Sequence, residues 1–255
     1  MKKIRSEFYT NFETYTFGYA EYAILENLSD ITEIYSSGYL PYTGSPDILN
    51  HFYLCRSLRV DLSNWKLNSE NKRIQKKHDE GLSRKIFDSF TQMDATLQQE
   101  VFEMYAQYFA HIHGANIMPK KRLEFVFASV FQNKNILYFD SEGKLAGGII
   151  MIENIEKSLS HIWYIGYTPQ FQKSGFGIWM FLDCMQLLQS EGYTYLYLGT
   201  AYGNKAKYKL NFEALEYWDG NAWNSDIKRL KALLGSDDIV KERDVLKEGR
   251  ETFTM

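Results

Sequence analysis

The chain has 255 residues, of which 45% are hydrophobic and 24% charged, and a formal net charge of -3. That length and apolar content can bury a real core in one large domain or two smaller ones. The charge argues against a protein that coats nucleic acid by bulk attraction and leaves room only for a local basic surface. No apolar run follows Lys2, Lys3 and Arg5, and no stretch is apolar for long enough to span a bilayer, so a cytoplasmic protein without membrane contact is expected. Cys55 and Cys184 lie far apart without CxxC spacing or a His/Cys cluster, which points to two buried free thiols and no metal.

In chain order, Phe8 to Phe87 reads as aromatic and irregular, with turns at Ser37-Gly38 and Pro41 to Gly44 and a short strand at Leu54 to Leu62. A helix is expected from Asp94 to His113, because Leu97, Val101, Met104, Tyr105, Tyr108 and Ile112 recur at three- and four-residue spacing and Gly114 stops the run. The period then changes to two. Ile136 to Phe139, Leu145 to Ile152 and Leu159 to Tyr167 read as three strands, the first pair joined by a turn at Ser141-Glu142-Gly143. A helix to Ser190, a strand from Tyr193 to Leu198 and a short helix from Asp226 to Leu234 follow. The expected domains are residues 1–90, an N-terminal half holding a basic stretch; 91–235, the catalytic part; and 236–255, a charged tail.

Between the third strand and its helix stand Gln172, Lys173, Ser174, Gly175, Phe176 and Gly177, a Q/R-x-x-G-x-G/A pattern. Glycines there let the backbone approach an anion, and the amides of the first helical turn can grip pyrophosphate oxygens. The hairpin before the loop and the helix and strand after it resemble the acyl-CoA-binding core of GNAT N-acyltransferases. The fold class expected is therefore α/β (α+β), a mainly antiparallel mixed sheet flanked by helices, with an associated N-terminal α/β half. A backbone amide near Ile165 to Tyr167 could hold a developing oxyanion. His161, Tyr164 and Tyr197 are the candidate proton-handling groups.

Beyond the loop, the chain resembles the arginyl-tRNA protein transferases and their bacterial relatives. The resemblance rests on Ser37 to Gly44, on Cys55-Arg56-Ser57-Leu58-Arg59-Val60 with Ser69 to Arg73, on Tyr105 to Tyr108 with His113, and above all on Tyr195-Leu196-Tyr197-Leu198-Gly199 followed by Tyr208-Lys209, Phe212, Leu215-Glu216 and Trp223. It implies transfer of arginine or leucine from tRNA to a protein or peptide N-terminal amine, tagging that protein for degradation. No cofactor is held tightly; aminoacyl-tRNA is the donor, with acetyl-CoA the alternative. Two departures stand out. The family's N-terminal cysteine cluster has no counterpart among Phe8 to Tyr22, and its acidic D-P-D/E-Y segment is replaced by Thr168-Pro169-Gln170-Phe171.

From Arg56 to Lys85, nine basic residues (Arg56, Arg59, Lys66, Lys72, Arg73, Lys76, Lys77, Arg84, Lys85) face four acids (Asp61, Glu70, Asp79, Glu80). Lys72, Arg73, Lys76 and Lys77 are the candidate tRNA contacts. Three functions stay open: an aminoacyl-tRNA-dependent transferase, an acetyl-CoA-dependent N-acetyltransferase, and an inactive GNAT-fold binding module.

Overall fold

The structure is a computed structural model that describes residues 1–237 apart from Thr14, Pro46, Ala115, Gln132, Asn133, Ile155, Lys157 and Lys173. Lys173 of the loop and the charged tail from residue 238 onward lie outside the described residues. The chain forms two compact units that interleave along the sequence, one holding residues 1–42, 47–61 and 197 onward, the other 43–46 and 62–196.

The first unit begins with strands β1 (Lys2–Asn11) and β2 (Thr16–Ile24), then helix α1 (Ile31–Ser36) and strands β3 (Tyr39–Pro41), β4 (His51–Leu54) and β5 (Ser57–Asp61). The segment expected to be irregular is thus largely regular. β1 and β2 pair antiparallel, with Arg5 opposite Glu21 and their side chains 2.9 Å apart, and the sheet runs β1-β2-β4-β3. Much of the hairpin is exposed, so the apolar alternation that marks a half-buried strand is missing from its sequence.

The second unit carries helix α2 (Ser69–His78), strand β6 (Ser83–Phe87), helices α3 (Ala95–His113) and α4 (Lys120–Ala128), strands β7 (Lys134–Phe139), β8 (Leu145–Glu153) and β9 (Leu159–Tyr167), and helix α5 (Phe176–Ser190). Neighbours β6-β7-β8-β9 are all antiparallel. α3 starts as expected, with the Asp94 side chain accepting from the Leu97 amide, and buries Val101, Met104, Tyr105, Tyr108 and Phe109. Phe109 takes the place on that stripe expected of Ile112, which is exposed.

Glycines in the sheet let helices close on both faces. A Cβ on Gly147 would stand 2.8 Å from the Phe176 ring and 2.9 Å from the Met180 sulfur, so that face belongs to α5. On the other face, a Cβ on Gly166 would meet the Tyr105 ring of α3 at 2.7 Å, and Gly148 lies directly across from Gly166 in the ladder. At the far end of the sheet, Lys134 Nζ lies 2.8 Å from Glu153 and 3.5 Å from Glu191, and Tyr193 donates to Glu153 at 2.7 Å. With Lys134 and Glu153 largely out of solvent, Glu153→Ala leaves a poorly compensated buried ammonium. A loss of about 3 kcal/mol is expected, read as a lower denaturant midpoint at unchanged m-value.

Strand β10 (Tyr195–Thr200) carries the chain back into the first unit, two residues later than the expected start at Tyr193. A 3-10 helix (Asn204–Asn211), strands β11 (Leu215–Trp218) and β12 (Trp223–Asn224) and helix α6 (Ile227–Ser236) complete that unit. β11 pairs antiparallel with β5, placing Glu216 opposite Arg59 at 2.7 Å, and the Arg59 guanidinium lies 4.1 Å from the Trp223 ring centre. Arg56 donates to Asp237 at 2.8 Å and to the Ala201 carbonyl at 3.1 Å. Two of the nine residues counted as a basic surface are therefore core ion pairs, at 5% and 8% exposure. Arg84 is also paired, with Asp183 at 2.6 Å.

Lys209 donates to the Leu198 and Thr200 carbonyls at 2.7 and 3.0 Å, on either side of Gly199 with φ 80. Burial lowers its pKa to about 8, against a free lysine near 10.4. Between those values the unfolded chain binds the extra proton, so this group adds stability as pH rises from 8. The buried thiols, whose pKa values burial raises, pull the opposite way. The difference between wild type and Lys209→Met isolates the lysine. Wild type should gain about 1 to 2 kcal/mol on the variant between pH 8 and 9.5, measured by urea unfolding.

Candidate active site

The loop after β9 is shaped by two glycines for different reasons. Gly175 sits at φ 85, a left-handed conformation open to glycine, with nothing closer to a Cβ than Ile74 at 3.9 Å. Gly177 instead makes room: its Cβ would lie 3.1 Å from the Tyr167 ring. Ser174 Oγ accepts from the Phe176 amide at 3.1 Å and donates to the Phe171 carbonyl at 2.5 Å, which holds the turn as it enters α5. Phe176 is fully buried, its ring close to Phe171, Tyr167 and Trp179. Gln172 and Ser174 are half-buried. The start of α5 carries the partial positive charge of its leading amides beside the end of β9.

β9 is bulged next to this loop. Ile150 pairs with Tyr164 but Met151 pairs with Ile162, which leaves Trp163 as an extra residue. Beyond the bulge, the Thr168 amide donates to the Ala146 carbonyl at 2.9 Å. Alternation then aims the amides of Ile165 and Tyr167 away from β8, toward the other edge of the strand. That is the orientation an oxyanion donor on this strand requires.

The three candidate proton-handling residues have different surroundings. Tyr164 shares a 2.8 Å hydrogen bond with Thr43 Oγ1, which also accepts from Arg122 Nη2 at 2.8 Å. Burial raises the phenol's pKa, and Thr43 and Arg122 oppose that rise. His161, on the same strand, is 2% exposed in the core. Tyr197 belongs to the first unit, where its ring packs edge-on against Tyr35 at 4.9 Å and Trp223 at 5.5 Å. Thr43 and Arg122 escaped the sequence reading because they sit 121 and 42 positions from Tyr164, a separation no local spacing rule reaches.

Helix α2 adds what sequence alone did not place. Its buried face is Asn71, Ile74 and His78, and it lies along α5, with Gln75 donating to Gln186 at 2.6 Å and Trp179 Nε1 to Asp79 at 3.2 Å. At its C-terminal end, Lys77 Nζ and His78 Nε2 both reach the Ser174 carbonyl, at 2.7 and 3.0 Å. Lys72, Arg73 and Lys76 are exposed; Arg73 is tied bidentately to Glu70 at 2.9 and 2.7 Å. Of the four candidate tRNA contacts, Lys77 is thus fastened to the loop itself.

A glycine turn delivers helix amides to the end of a bulged strand in an antiparallel sheet, the strand-loop-helix arrangement expected of a GNAT-like fold. Residues 100–219 match the family described as "Arginine-tRNA-protein transferase, C terminus". The chain is 25% identical over 179 residues to an aspartate/glutamate leucyltransferase of Chromohalobacter salexigens, covering 68% of this chain and 69% of that one. A second leucyltransferase of that name, from Ruegeria pomeroyi, is 25% identical over 178 residues, covering 67% of this chain and 62% of the relative. Among solved structures, L-PGS from Bacillus licheniformis has a TM-score of 0.45 at 12% identity, covering 68% of this chain and 52% of that one. A GCN5-related N-acetyltransferase from Kribbella flavida has 0.37 at 11%, covering 63% and 54%. No helix among the described residues is long and apolar enough to cross a membrane.

Proposed function

We propose that this chain is a cytoplasmic aminoacyl-tRNA-dependent transferase that adds an amino acid of the arginine or leucine class to the N-terminal amine of a protein or peptide. The observation that carries the reading is the clasp of Lys77 and His78 on the Ser174 carbonyl, which sets a basic helix beside an anion-gripping helix start. A polyanionic donor fits that pairing: Lys72 and Lys76 meet backbone phosphates, and the amides at Gly175 to Gly177 hold a phosphate near the reacting end. The family match over residues 100–219 and the relatives named leucyltransferases support the same donor class.

In this reading the incoming amine attacks the ester carbonyl of the aminoacyl group. The C–N bond forms, the C–O bond to the terminal ribose breaks, and the proton lost by the amine ends on the departing ribose oxygen. A terminal amine has a pKa of about 8, so only mild base help is needed. Amides at Ile165 and Tyr167 stabilise the oxyanion, and the Tyr164 phenol, held by Thr43 and Arg122, handles the proton. His161 and Tyr197 support the strands from within the core. Gly175→Glu places a carboxylate where the donor's phosphate sits and is expected to lower transfer at least a hundredfold, assayed with charged tRNA and a peptide. Retention of full transfer would defeat the reading. An acetyl gain from acetyl-CoA, with none from charged tRNA, would transfer the same geometry to the alternative donor.

A further inference from the structure

A second positive surface lies in the first unit, away from the loop and α2 in the chain. Residues 203–212 (Gly-Asn-Lys-Ala-Lys-Tyr-Lys-Leu-Asn-Phe) contain three lysines and no acid. Three residues per turn sort the 3-10 helix into ridges. Ala206 is buried and Lys209 turns inward to the β10 carbonyls, which leaves Lys205 and Tyr208 together on an outward ridge. Lys207 leans the other way, onto α6, where its Nζ stands 3.9 Å from the place a Cβ on Gly235 would occupy. On α6, Lys228, Lys231 and Gly235 follow at three- and four-residue spacing and share one face, while Leu230 and Leu234 are buried. Lys207 thus reaches the α6 face that carries Lys228 and Lys231, with Lys205 one ridge away on the 3-10 helix, and three of these four lysines are exposed.

The two acids that flank α6 are engaged elsewhere. Asp226 caps α6 by accepting from the Arg229 amide, and Asp237 accepts from Arg56 and the Gly203 amide. Beside the lysines are two exposed aromatic rings, Tyr208 at 39% and Tyr202 at 45%. Tyr202 is held in place: its hydroxyl accepts from the Arg56 amide at 2.7 Å, and the Arg56 guanidinium lies 4.8 Å from its ring centre. Lysines spaced along a surface suit a run of phosphates, and fixed exposed rings suit unstacked bases. An acidic peptide would use the charge but have no use for the rings.

We propose that the strip formed by Lys205, Lys207, Lys228 and Lys231, with Tyr202 and Tyr208, binds a single-stranded segment of RNA. It rests on the donor being an RNA.

The test is anisotropy of a labelled, unstructured RNA oligonucleotide of roughly eight nucleotides with the full chain, across a salt series. Lys205→Glu/Lys228→Glu/Lys231→Glu should weaken binding at least tenfold and flatten the log–log salt slope by about two, at about 0.7 for each phosphate no longer neutralised. Tyr208→Ala should weaken binding about fivefold and leave the slope unchanged. All four positions are exposed, and circular dichroism checks that the variants fold. The proposal is overturned if wild type does not bind the oligonucleotide, if the triple variant binds as wild type does, or if polyglutamate competes as well as RNA. Charged-tRNA transfer is measured alongside. Transfer with strip variants that bind normally sinks the strip alone, whereas RNA binding through the strip without any transfer sinks the donor reading and leaves the strip standing.

Discussion

Gly166→Val is expected to cost about 3 kcal/mol or more of stability. The Tyr105 ring lies where the new side chain would stand, a Cβ falling 2.7 and 2.9 Å from two of its carbons. Tyr105 cannot swing aside: it is fully buried between Phe109 and Phe127 and anchored on α3. Overpacking of a tight core costs about 1 to 3 kcal/mol when side chains can adjust, and this one has nowhere to go. Thermal unfolding should show the loss, together with reduced near-ultraviolet dichroism from the ring cluster. Gly166 has to be glycine because a helix ring lies on the sheet, whereas Gly175 has to be glycine because of its backbone angle.

Charge reversal on α2 is the second large effect. Lys72→Glu/Lys76→Glu should weaken aminoacyl-tRNA binding by about tenfold to a hundredfold near 0.15 M salt, and flatten the log–log salt slope by about two. Both residues are exposed on the face opposite Ile74 and His78, so the fold and the loop clasp stay intact. Arg73→Ala should do less, because its guanidinium is already shared with Glu70. Lys77→Ala acts differently: it loosens the loop by removing a donor from the Ser174 carbonyl, and shows as reduced transfer with a nearly unchanged salt slope.

Much of the second unit was legible because its signals are local. β9 runs from Leu159 to Tyr167 as read from alternation, α3 begins at the residue after its Asp94 cap, and α5 ends at Ser190 before Gly192 at φ 84. The loop's position between strand and helix could be read from its glycines and the change of period around them. In the first unit the later elements were legible, α6 beginning after its Asp226 cap, but the opening strands were not. β1 is exposed over much of both faces and so lacks an apolar alternation. In the second unit, α4 was missed because it is nine residues long with no side-chain cap.

Charge was misread where its partner is distant. Arg56 and Arg59 look like part of a basic surface until Asp237 and Glu216, 181 and 157 positions away, are folded against them. The same separation hid Thr43 and Arg122 from Tyr164, and hid the strip on α6 from the lysines before it. Spacing rules reach along one helix or strand; ion pairs and hydroxyl networks are made by topology, which brings remote segments of the chain together.

The most direct measurement is the mass of an acceptor peptide after incubation with the protein and tRNA charged with leucine or arginine, with and without prior ribonuclease digestion of the donor. The account predicts a gain of one amino-acid residue on the peptide's terminal amine that disappears once the donor RNA is digested. A peptide unchanged by either charged tRNA, and acetylated when acetyl-CoA is supplied instead, would contradict it.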